Sequence, residues 1–262
     1  MRLASDSPVA VLAVARPRLA LLAGLAAGIA LAELLIAVGA PGAGFLVDAA
    51  LVLALANGVL FARSRARARL MGILALVPLI RPVAMAMSFG GVPPELSPVL
   101  AGAPLLAGVL WASREIGFPL AARLLPASRA GARIAAVAGP VLGLPAFLLV
   151  GPARPELGTA GLLAAAVGLA VFVALQQELL FRGLLQELLG EVYGARTSTL
   201  AALSALFGVT LLGASLAFGI YMGALAMVFS EFVRRYGTLG EVVICHAGVS
   251  VFGVLVWPLL LG

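Results

Sequence analysis

Long apolar runs alternate with short polar breaks along almost the whole chain. Read at helical length, they predict spans near 19–40, 45–62, 70–88, 97–112, 134–151, 159–189, 197–212, 215–233 and 242–261. A helix needs about 20 apolar residues to cross a bilayer, with roughly 17–25 tolerated. The expected fold class is therefore all-α, a polytopic transmembrane bundle of about eight or nine membrane helices. The fourth, seventh and eighth runs are short or tightly joined, so their ends are the least defined. Pro78, Pro82, Pro104, Pro140 and Pro145 fall inside spans, where neighbouring helices can satisfy the carbonyls they free. The first run follows Arg16 and Arg18, as the apolar part of a signal peptide would. Its length and the apolar hairpin after it favour an uncleaved helix.

Composition removes the soluble alternative. Of 262 residues, 63% are hydrophobic and 11% charged, and the mean hydropathy is +1.17. Soluble domains carry roughly 25% charged residues. No soluble domain, Gly/Ser linker or low-complexity tail interrupts the apolar runs. One membrane domain over 1–262 is expected, with N-terminal helices in 1–155 and a core in 156–262. A lipid bilayer is the implied surrounding.

The net charge of +6 comes from 17 basic residues, every one an arginine, against 11 acids. These arginines collect in short loops: Arg63, Arg65, Arg67 and Arg69; Arg114, Arg123, Arg129 and Arg133; Arg196; Arg234 and Arg235. Such placement marks cytoplasmic loops, so the N-terminus is expected in the cytoplasm, in a prokaryotic plasma membrane. The arginines are not interleaved with aromatics on a soluble surface, which argues against nucleic acid. Cys245 is the single cysteine, so no internal disulfide forms.

Ionisable groups inside apolar spans are costly and point to sites or buried pairs. Glu33, Asp48 and Arg81 form one set, expected toward the outer half of the first three helices. A structural ion pair of Arg81 with Glu33 or Asp48 is the leading reading, and a conduction path is the alternative. The second set lies in QQELLFRGLLQELLGEVYG, from Gln176 onward. Glu178 and Arg182 are spaced i, i+4 with the acid first, so they share a helix face, and Gln186 continues it. Residue chemistry alone leaves two options. One is a salt bridge on the helix surface at the membrane edge; the other is a site carboxylate oriented by an arginine behind it.

QELLFRGLL resembles the first motif, Glu-Glu-x-x-x-Arg, of the CAAX prenyl endopeptidase and bacteriocin-processing family (CPBP, also called Abi). TSTLAALSALFGVTLLG follows where that family has a helix ending Phe-x-x-x-His. ASLAFGIYMGALAMVFSEFVRRYGTLGEVVICHAGVSVFG then resembles its Gly-rich helix, basic turn and final His-x-x-x-Asn helix. The resemblance covers about 85 residues, from roughly 172 to 255. It implies an intramembrane endopeptidase, a hydrolase in which a glutamate and two histidines activate water and an asparagine helps steady the oxyanion.

The chain departs from that pattern at three positions. Gln177 stands for the first glutamate, Leu211 for the first histidine and Ser250 for the asparagine, while Glu178, Arg182, Phe207 and His246 match. A neutral amide cannot accept a proton at ordinary pH, and each positioned acid–base group is typically worth about 10²–10⁴ in rate. The expectation is a catalytically impaired member, a pseudoenzyme that binds a membrane partner or a lipidated peptide. The alternatives are an active CAAX-type protease using Glu178 and His246, and a transporter-like protein built around Glu33, Asp48 and Arg81. One histidine beside one cysteine falls short of the three protein ligands usual for catalytic zinc, so neither a metal nor a cofactor is expected.

Overall fold

The computed structural model describes residues 8–88 and 96–262, and among these it is helical with no strand. The helices are α1 Pro8–Ala37, α2 Pro41–Leu60, α3 Arg65–Leu74, α4 Ile80–Ser88, α5 Ser97–Ile116, α6 Leu120–Leu124 and α7 Arg129–Val150. They continue with α8 Thr159–Tyr193, α9 Thr197–Val209, α10 Leu216–Tyr236 and α11 Gly240–Leu261. Seven of them are long and apolar enough to cross a membrane, α9 being shorter. Large apolar side chains such as Leu53, Leu60, Trp111, Val137, Leu163 and Ile220 point outward and exposed, as a lipid-facing surface requires.

The count differs from the expected eight or nine because two runs do not form whole spans. The run at 70–88 is broken into α3 and α4 by a tight turn over 75–79. Pro78 lies at that break: it lacks an N–H, and it disfavours helix at the residue before it. Pro82 then falls in the first turn of α4, where a missing N–H costs little. Upstream, Ser64 caps α3, its Oγ accepting from the Arg67 N–H at 3.3 Å. The run at 197–212 ends as helix at Val209, and 210–214 are turn. Pro104, Pro140 and Pro145 sit within α5 and α7 as expected.

Two close helix crossings shape the core. At Gly139 of α7, a Cβ would lie 2.5 Å from the Cys245 carbonyl oxygen and 2.8 Å from the Gly248 Cα of α11. On α5, a Cβ at Gly102 would land on the Phe172 carbonyl oxygen of α8. Small residues thus let α7 meet α11, and α5 meet α8, almost backbone to backbone, the usual way helices pack in lipid. Side-chain donors add to the α7 contacts: the Tyr221 hydroxyl donates to Leu142 O at 2.6 Å and Trp257 Nε1 to Pro140 O at 3.1 Å.

One end of the bundle gathers the basic connections. Arg123 donates to Gly237 O at 2.7 Å and pairs with Glu187 at 3.1 Å. Glu241 accepts from the Ser128 N–H at 3.3 Å and from the Thr238 hydroxyl at 2.9 Å. These bonds tie the α6 loop, the far end of α8 and the α10–α11 turn together, next to Arg234 and Arg235.

Candidate functional site

Helix α8 carries the site. Its 35 residues include two π-helical stretches, Leu169–Leu175 and Leu179–Leu185, with Gln176–Glu178 between them. Wide turns of this kind are rare and recur at functional positions. On one side of them, Leu169, Phe172, Val173, Gln176 and Gln177 form a face that lines a cavity of about 360 Å³. Helix α11 presents the matching face, His246, Val249, Ser250, Gly253 and Val254. The polar members of the two faces fall at neighbouring ends, because Glu178, next to Gln177, bonds to His246. The rest of both faces is apolar.

Glu178 lies behind this cavity, not in its wall. It is fully buried; its Oε1 sits 2.6 Å from His246 Nδ1 and 3.3 Å from Arg182 Nη1. The arginine gives the carboxylate a counter-charge inside the membrane, the arrangement that makes buried charge tolerable. A carboxylate so paired only accepts hydrogen bonds. With the carboxylate ionised, His246 Nδ1 is the donor of this bond, and Nε2 is the ring's remaining polar atom. The i, i+4 pair expected from sequence is thus present, buried rather than on the helix surface. His246 bonds to Glu178, not Ser250, through Nδ1.

Aromatic rings seal the charged group. The Arg182 guanidinium stands 4.5 Å from the Phe207 ring centroid, with Phe181 and Phe229 near 6 Å. Phe181 and Phe207 meet edge to face at 5.0 Å. Such contacts favour a desolvated guanidinium. Gln186, one turn beyond Arg182, donates to Ser230 O at 2.9 Å and so ties α8 to α10.

The residues singled out from sequence thus divide into two layers. Glu178, Arg182 and Phe207, which match the family motif, form the backing; Gln177, Leu211 and Ser250, which depart from it, line the cavity. His246 belongs to both layers. Leu211 reaches the wall from the turn after α9. Of the other ionisable set, Arg81 lies 3.5 Å from Glu33 Oε1 and also lines the cavity, whereas Glu33 and Asp48 are buried away from it. Among the described residues, no three His, Cys, Asp or Glu side chains gather as a metal-binding group.

Residues 159–252 match a family model described as type II CAAX prenyl endopeptidase Rce1-like. This segment belongs to the CAAX-protease family. The CAAX-protease segment runs from the start of α8 to within α11 and contains the motif positions named above. No curated protein and no solved structure gives a match to the chain. The wall of the cavity also takes residues from outside the matched segment, Arg81 and Leu105 among them.

Sequence reasoning missed two members of the wall. Gln176 was legible in principle: 169, 172, 173, 176 and 177 form one helical face, apolar until it ends in two amides. Arg81 was noticed only as a partner for an acid, since nothing local places α4 beside α8.

Proposed function

We propose that this membrane protein uses a CAAX-protease-type bundle to bind an apolar peptide segment in the α8–α11 cavity without cutting it by the family's mechanism. The observation that carries this reading is which positions line the cavity. Gln177, Leu211 and Ser250 occupy the wall where the motif supplies glutamate, histidine and asparagine. The cavity therefore lacks the glutamate and one of the two histidines with which the family is understood to activate water, keeping only His246, while its apolar faces and few polar groups are those of a ligand pocket. Glu178 does not substitute for the missing base, because it is enclosed and committed to Arg182 and His246. In the same reading the basic end of the bundle, with the N-terminus, faces the cytoplasm.

The test is peptide cleavage by purified protein in detergent, beside a Gln177→Glu, Leu211→His, Ser250→Asn triple variant. A silent parent with cleavage in the variant is the expected result. Cleavage by the parent, abolished by Glu178→Gln, would overturn it. That outcome is the second reading, hydrolysis using Glu178 and His246 together. One observation favours it: a carboxylate holds the imidazole at 2.6 Å while the ring borders the cavity, the base–orienter arrangement of many hydrolases.

A further inference from the structure

We propose that the side-chain amide of Gln176 pairs with one peptide unit of a ligand held in extended form in the cavity. Gln176 is 2% exposed, yet it lines the cavity. Its Nε2 is buried and has no hydrogen-bond partner among the described residues. Its neighbours on the same face, Leu169, Phe172 and Val173, have apolar side chains that offer it no partner. An amide in such surroundings is costly unless something completes its bonds.

The chemistry of the amide selects the occupant. A primary amide presents a donor and an acceptor side by side, as a peptide unit does. A helical segment in lipid already satisfies its own N–H and C=O groups and leaves none for Gln176. An unwound segment exposes both, and pairing with Gln176 replaces the bonds it lost. The amide thus favours the extended form of a chain whose ordinary state in lipid is helical. Between the two π-helical stretches, Gln176 and Gln177 line the cavity while Glu178 bonds to His246.

The inference rests on the peptide-binding reading above, and its test separates the two. The probes are a blocked, fluorescently labelled apolar nonapeptide and a set carrying one backbone N-methyl group at each position in turn. The parent is expected to bind the plain peptide and to lose roughly tenfold in affinity at one methylated position. Gln176→Met should weaken the plain peptide by a similar factor and no longer discriminate at that position. A parent indifferent to methylation, or a folded Gln176→Met that keeps the discrimination, would sink this inference alone. A parent that binds no peptide would sink the peptide site and this inference with it. Because the methylation scan uses the unaltered protein, a variant that does not fold leaves the test intact.

Discussion

Glu178, Arg182 and His246 form the densest polar contact inside the bundle, and its energetics follow from burial. Glu178 and Arg182 have side chains 0% and 1% exposed, so removing one charge strands the other in a low-dielectric interior. Arg182→Leu is expected to destabilise the protein by about 3–5 kcal/mol, read as a drop in the thermal unfolding midpoint in detergent. A Leu211→Met change should cost under about 1.5 kcal/mol, because it keeps volume and apolar character at a wall position. Finding the two substitutions equally damaging would refute the division into backing and wall. At this scale the sequence showed the Glu178–Arg182 face, through its i, i+4 spacing. It could not show that the pair is enclosed, since enclosure depends on Phe207 and Phe229 arriving from α9 and α10.

Among the elements, the apolar runs were legible wherever one run made one helix. They misled where local chemistry overrode hydropathy, as at Pro78, which splits α3 from α4, and at 210–214, where α9 ends short. The π-helical turns of α8 left no sequence signature, because Leu, Val, Ala and Phe fit both kinds of turn. Helix crossings were equally hidden: glycines are frequent throughout, and only the fold shows which ones touch. Gly139→Ala is expected to force α7 away from the α11 backbone, costing about 1–3 kcal/mol, whereas Gly24→Ala, with open space around it, should leave the unfolding midpoint unchanged or raise it. Comparing the two midpoints checks the crossing.

For the molecule as a whole, α8 sets the relation to the bilayer. Thirty-five residues at about 1.5 Å each reach roughly 52 Å, well beyond a hydrocarbon core of about 30 Å. In the proposed orientation its far end, with Glu187 and the Arg123 contact, is expected at the cytoplasmic interface with the other basic connections. In a Cys245→Ala background, Arg67→Cys should react with a membrane-impermeant maleimide only after permeabilisation. Glu156→Cys should react in intact cells, and the reverse pattern would invert the orientation. The two-layered site also bears on how such a protein changes over time. Substitutions in the wall alter what happens to an occupant and leave the packing that holds the bundle together nearly untouched. Substitutions in the backing threaten the fold while barely meeting the occupant. A scaffold divided in this way can shed a chemistry, keep a binding site and recover the chemistry later, one tolerated replacement at a time.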